Sequence, residues 1–291
     1  MSKLLKELVD GENLTMRVLI TQVNKGITAK GSPYLSFALQ DKSGVMDAKY
    51  WSVPEEKINL YKPGMLVNVS GDVLSHNKQL QFRISSIEIL DRSEIDLREF
   101  VQSSHIPRTE LKQSIENLLQ TMENQKIKTI LFTLLEEYEK DFYAYPAASK
   151  NHHSFVGGLA THVLGMLKLA DQICKLYPTL NRDLLFGGVI LHDLGKLIEL
   201  SGPVLTEYTM EGKLLGHISI MQAKVALVAE QLGIEGEEVI LLRHMILSHH
   251  GVYEYGSPVL PMLPEAEMLF YIDNMDAKMN AIEKALEGIE P

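Results

Sequence analysis

The sequence predicts a multidomain α and β protein, a small β-barrel followed by an all-α helical bundle. Three observations carry this. The first 90 or so residues break into short alternating or β-branched segments set off by turn residues, and from Glu110 onward apolar residues recur at helical spacing. Charge divides along the same line: residues 1–100 carry 13 basic and 13 acidic side chains and residues 101–291 carry 15 and 25, so the net charge of −10 belongs to the second part. An acidic body repels a polyanion unless metal ions or local lysines offset it, so any binding of a polyanion should be led by the neutral first part or by a local patch. At 291 residues the chain has the length of about two domains.

The expected strands are Leu14–Asn24, Tyr34–Gln40, Val45–Trp51, Met65–Leu74 and Leu80–Leu90. Lys25-Gly26, Asp41-Lys42-Ser43-Gly44, Lys62-Pro63-Gly64 and His76-Asn77-Lys78 supply the turns between them. The run YLSFALQDKSGVMDAKYW, followed by GMLVNVSGDV and QFRISSIEIL, resembles the OB-fold of the anticodon-binding and RPA-like type. That resemblance implies a single-stranded nucleic-acid partner, with bases stacked on aromatic rings and basic side chains following the backbone. The candidates are Tyr34, Phe37, Tyr50, Trp51 and Phe82 for stacking, and Lys25, Lys30, Lys49, Lys78 and Arg83 for phosphate. The competing reading is core packing, because alternate positions of a small barrel must fill its interior.

Residues 93–110 are polar, contain Pro107 and read as a linker, which sets the two domains at 1–92 and 111–291. Helical spacing follows in Leu111, Ile115, Leu118 and Leu119, then in Ile127, Ile130, Leu131, Leu134 and Leu135. Further helices are expected over Gly158–Leu176, Arg182–Leu200, His217–Leu232, Glu235–Ser248 and Pro264–Leu286, with Gly202–Leu215 richer in turn and extended signals.

No apolar run approaches the roughly 20 residues of a membrane span, and the first residues lack the apolar stretch of a signal peptide. A cytoplasmic protein without a membrane partner is expected, and its apolar helices would permit a homo-oligomer. The lone Cys174 cannot form an internal disulfide and reads as core packing. Gly26–Ser32 has the glycine spacing of a phosphate-binding loop, but it lacks the lysine before the serine and sits in an expected hairpin.

His192-Asp193, within VILHDLGKLIEL, places an imidazole beside a carboxylate on an apolar helix, a costly pair to bury without a metal. Eight of the ten histidines lie between residues 152 and 250. His162, His217, His249-His250 and Asp273 recur at separations suited to successive helices of one bundle. Nitrogen and oxygen donors without cysteine describe a divalent cation such as Mn, Fe, Co, Mg or Zn, with Mn2+ preferred. Lys196, one turn after His192, would hold a substrate phosphate; alone it would be an ordinary surface lysine. The pair His249-His250 before Gly251 equally suits the negative end of a helix dipole. His152 and His153 read as loop-capping or substrate-facing groups, and His244 as structural.

The order His, His-Asp, His, His-His, Asp resembles the HD superfamily of metal-dependent phosphohydrolases, whose pattern favours Asp273 over Asp276 as the last ligand. The blocks YPAASKNHHSFVGGLATH, VILHDLGK, LTEYTMEGKLLGHI, LSHHG and YIDNMDAKM behind an OB-type segment resemble the YhaM family of bacterial 3′-to-5′ exoribonucleases over nearly the whole chain. The resemblance implies metal-dependent hydrolysis of single-stranded RNA, and of single-stranded DNA, to nucleoside 5′-monophosphates. His162, His192, Asp193, His217, His249, His250 and Asp273 would hold one or two ions. Asp193, Lys196 and His217 would serve catalysis, Lys196 steadying a phosphate and His217 passing a proton. Two other readings stand beside it: an HD phosphohydrolase of a small nucleotide or cyclic dinucleotide, and a single-strand-binding protein with a structural metal.

Overall fold

The computed structural model describes residues 3–28, 31–76, 79–91, 100–101, 103–147, 155–203 and 206–286, and divides into two compact units, Met1–Ser103 and Ser104–Pro291. Residues 93–99 and 102 of the expected linker 93–110 fall outside the described set, while its last residues open the first long helix.

In the first unit β1 (Asn13–Ile27), β2 (Pro33–Asp41), β3 (Gly44–Trp51), β4 (Leu66–His76) and β5 (Gln79–Ile89) close into a barrel in the order β1-β2-β3-β5-β4. Neighbours are antiparallel except for the β3–β5 pair. The period of two dictates the interior: Leu35, Phe37 and Leu39 of β2 point inward to meet Val18, Ile20, Val69 and Phe82. β1 serves two partners, β4 through Asn13–Leu19 and β2 through Leu19–Ile27. Its register slips between Ile20 and Gln22, a bulge at which the strand bends from one partner to the other. A second slip lies at Ser70/Gly71, where a Cβ on Gly71 would overlap the Arg83 carbonyl; only glycine lets β4 cross β5 this closely.

The second unit holds α1 (Arg108–Gln120), α2 (Gln125–Glu137), α3 (Glu139–Phe142), α4 (Gly158–Leu176), α5 (Arg182–Leu191), α6 (Lys196–Glu199), α7 (Met210–Gln231), α8 (Glu237–Ser248) and α9 (Pro264–Leu286). Asn124, Asn181 and Thr209 cap α2, α5 and α7 by accepting from the amides of Ile127, Leu184 and Gly212. α5 is the central helix: every residue from Asp183 to Leu191 is buried, which its nearly all-apolar sequence requires. Gly187 and Gly188 let neighbours close on it, since a Cβ would overlap Leu242 at the first and Met245 at the second. Each fully buried Leu, Ile, Val or Phe on α5 contributes roughly 1.5–3 kcal/mol, so the end of this helix is a fixed point. No helix of the described residues is long and apolar enough to cross a membrane.

Two expectations are corrected. The helix expected over Arg182–Leu200 is broken: α5 stops at Leu191, His192–Gly195 form a turn, and α6 follows. The segment expected to be extended up to Leu215 is helical from Met210, capped by Thr209, and α7 kinks at Gly216, whose φ is 71°.

Candidate metal centre and strand-binding surface

The break after α5 builds the site. His192 caps α5 with its ring turned back, Nδ1 bonding the Val189 carbonyl at 2.8 Å, which leaves Nε2 facing inward. His249, at the end of α8, repeats the arrangement by donating from Nδ1 to the Ile246 carbonyl at 2.8 Å. His217 on α7 is oriented by Glu199 of α6, whose Oε1 accepts from its backbone amide at 3.1 Å and lies 3.2 Å from Nδ1. Gly195 makes that approach possible, because a Cβ there would overlap the His217 backbone. His250 donates from Nδ1 to the Tyr255 carbonyl at 2.7 Å.

These rings converge. The centroids of His192 and His249 are 5.3 Å apart, those of His162 and His192 5.5 Å, and those of His217 and His250 5.6 Å. Two triads result, His162 with His192 and Asp193, and His217 with His249 and His250, the potential ligand atoms of each lying within 4.8 Å of one another. Asp193 stands between them: Oδ2 is 3.4 Å from His192 Nε2 and Oδ1 is 3.6 Å from His217 Nε2. Asp273 and Asp276 of α9 approach opposite sides of the His162 ring, Asp273 at Nε2 (3.2 Å) and Asp276 at Nδ1 (2.6 Å). Asp276 thus holds the ring from behind, the usual place of a carboxylate that orients a metal-binding histidine, and Asp273 faces the cluster.

The chemistry of these donors fits a divalent cation. The Nε2 atoms of His192, His217 and His249 are buried without a hydrogen-bond partner, an arrangement that costs about 1–3 kcal/mol per group unless something else is bound there. Burial, with His192 and His250 alongside, pushes His249 well below the usual histidine range, and burial lowers His250 too, so both carry free lone pairs at neutral pH. Burial also opposes the charge of Asp193, yet Lys196, His192 and His217 hold its carboxyl well below the usual range. His162 is the complement: burial disfavours its charge, but hydrogen bonds to Asp273 and Asp276 raise it to about 9, so positive charge is favoured at this point among the carboxylates. Nitrogen and oxygen donors without sulfur suit a borderline-to-hard ion.

Lys196 donates to Asp193 Oδ2 at 2.6 Å and to the Ala147 carbonyl at 2.7 Å, which leaves one of its three N–H groups for a ligand. It lines a cavity of 260 Å3 together with Asp193, His250, Tyr255, Phe270, Asp273, Asn274 and Ala277. His244 lies outside the cluster, accepting from the Met262 amide at 3.0 Å. His152 and His153 lie outside the described residues. The sequence reading missed Glu199 as the group that orients His217; a carboxylate inside the apolar run LIEL, three residues past Lys196, was the signal available.

On the barrel the expected binding residues separate. Phe37 and Phe82 are 1% and 0% exposed and fill the core, so neither can stack on a base, a correction that the alternation of β2 and β5 explains. Trp51 is 44% exposed, and its ring lies 4.7 Å from that of Tyr34, its cross-strand partner. Tyr34 lies over Gly26, where a Cβ would overlap the ring. Lys49 donates to Ser36 at 2.7 Å and sits 5.3 Å from the Tyr34 centroid. Lys25 bonds Asn59, and Arg83 pairs with Asp72 at 2.7 Å on the barrel surface. Lys30 and Lys78 lie outside the described residues.

Two family models match, an HD domain over residues 159–278 and an OB-fold nucleic acid binding domain over residues 14–90. The chain is 49% identical over 282 residues to a 3′-5′ exoribonuclease YhaM of Geobacillus sp., covering 97% of this chain and 87% of the relative. It is 47% identical to the 3′-5′ exoribonuclease YhaM of Bacillus subtilis, covering 97% of this chain and 90% of the relative. Among solved structures, a domain of replication protein A from Methanococcus maripaludis matches at 22% identity with a TM-score of 0.28, covering 32% of this chain and 99% of that one.

Proposed function

Since the chain belongs to the YhaM family of 3′-5′ exoribonucleases, we propose that it hydrolyses single-stranded RNA from the 3′ end and releases nucleoside 5′-monophosphates, with single-stranded DNA as a second substrate. The observation that carries the reading to this chain's own residues is the convergence of His162, His192, Asp193, His217, His249, His250 and Asp273 beside Lys196, with three imidazole nitrogens buried and unpartnered. His162, His192, Asp193 and Asp273 would hold one cation and His217, His249 and His250 a second, with Asp193 between them. Mn2+ is the ion we assign. A divalent ion bound there supplies an acidified water and offsets negative charge on the scissile phosphate.

The protein's own groups do the rest. Lys196 anchors Asp193 and turns its remaining N–H to a non-bridging phosphate oxygen. Glu199 fixes His217 by accepting from both its backbone amide and Nδ1, so that Nε2 presents to the cluster; where His249 and His250 hold the second cation without it, this Nε2 is free to take a proton from the attacking water. The barrel carries the upstream strand on Tyr34, Trp51 and Lys49, and being on the same chain it raises the local concentration of substrate. The reaction belongs to the cytoplasm on this reading.

Substituting Asp193 tests it. Asp193→Ala is expected to abolish mononucleotide release and to lower the metal content of the purified protein, while single-strand affinity measured by anisotropy stays near that of the parent. Retained metal-dependent nuclease activity in a clean preparation contradicts the assignment.

A further inference from the structure

We propose that Tyr255 and Phe270 form a nucleobase subsite, stacking the base of the 3′-terminal nucleotide while its phosphate lies at Asp193 and Lys196; this deepens the exonuclease reading and rests on it. The cavity beside the candidate metal cluster combines two kinds of lining, the charged and polar groups Asp193, Lys196, His250 and Asp273 and the aromatic residues Tyr255 and Phe270. A nucleotide has this distribution, an anionic phosphate joined to a π-faced base. At 260 Å3 the cavity lies just below the roughly 300–1,000 Å3 usual for small-molecule sites, which suits one nucleotide rather than a stack of several.

Both rings are held by the segment that follows His249-His250. Phe270 rests on Gly251, whose φ of 77° already favours glycine and where a Cβ would overlap the ring. Tyr255 closes a short 3-10 turn, Tyr253–Tyr255; its carbonyl accepts from His250 Nδ1 at 2.7 Å, yet its residue is 67% exposed. A pinned backbone with an open aromatic side chain at a cavity lip is poorly explained by packing. It is well suited to stacking, which is tolerant of base identity because every base has a π-face, as an enzyme that degrades any sequence needs.

The test uses the full-length, metal-loaded protein and two RNAs, one ending in an ordinary nucleotide and one in an abasic ribonucleotide. On the ordinary RNA, Tyr255→Ala should raise KM for terminal release by roughly five- to hundredfold, the factor that base–aromatic stacking supplies. On the abasic end the same variant should match the parent, and Tyr255→Trp should retain parental KM on both. Equal losses on the two RNAs, a fall in metal content, or no loss on either would overturn the subsite. Failure of the exonuclease reading would show separately, as no terminal mononucleotide from the parent protein on either RNA.

Discussion

At the scale of single residues, the barrel aromatics separate stability from binding. Phe37→Ala should remove about 3–5 kcal/mol of barrel stability in denaturant unfolding, because its ring is wholly enclosed. Trp51→Ala should leave stability near parental and weaken single-strand binding by about 1–3 kcal/mol in anisotropy titrations. Trp51 is the chain's only tryptophan, so quenching of intrinsic fluorescence by single-stranded RNA reports this site directly; an unchanged emission at saturating RNA would remove Trp51 from the surface. Asp276→Asn, which keeps the shape behind His162 but not the charge, should weaken metal affinity about 10- to 100-fold by calorimetric titration without removing a ligand. The convergence of seven candidate ligands was legible in the sequence because histidine and aspartate are rarely fully buried without a partner, and these seven recur in or at the ends of helical segments. What orients them was not: Glu199 meets His217 only because a turn interrupts a segment whose helical spacing runs on unbroken in the sequence.

At the scale of elements, the site depends on a helix that stops. The apolar run from Arg182 to Leu200 has uninterrupted helical spacing, so its length reads directly from the sequence but its break does not. The break follows from tertiary demands, the His192 ring folding back on Val189 and Gly195 admitting the His217 backbone. Gly195→Ala tests this. The added methyl should push α7 away from α6, lower Tm by several degrees, and cut metal-dependent activity more than Asp276→Asn does; a variant with parental Tm and activity would show that the close approach is dispensable. The strands were more legible than the helix ends. Period-two burial and Gly or Asn turns are local signals, whereas the bulges at Thr21 of β1 and Ser85 of β5, which bend these strands into a closed barrel, serve partners far apart in sequence.

At the scale of the whole molecule, the proposed function divides binding from hydrolysis between the neutral barrel and the acidic helical unit. The boundary between the units was visible in charge alone, while the sequence left stacking and core packing as competing readings for the barrel aromatics, of which Phe37 and Phe82 fill the core. Removing the metal with a chelator should lower the Tm of the full chain, and excess Mn2+ should restore it, since an ion bound only to the folded state stabilises it by mass action. The decisive measurement is product analysis on single-stranded RNA labelled at one end or the other, with the metal-loaded protein. The account predicts that a 3′ label appears at once as a nucleoside 5′-monophosphate while a 5′ label passes through a descending ladder. Internal fragments, or mononucleotides released first from the 5′ label, would contradict it.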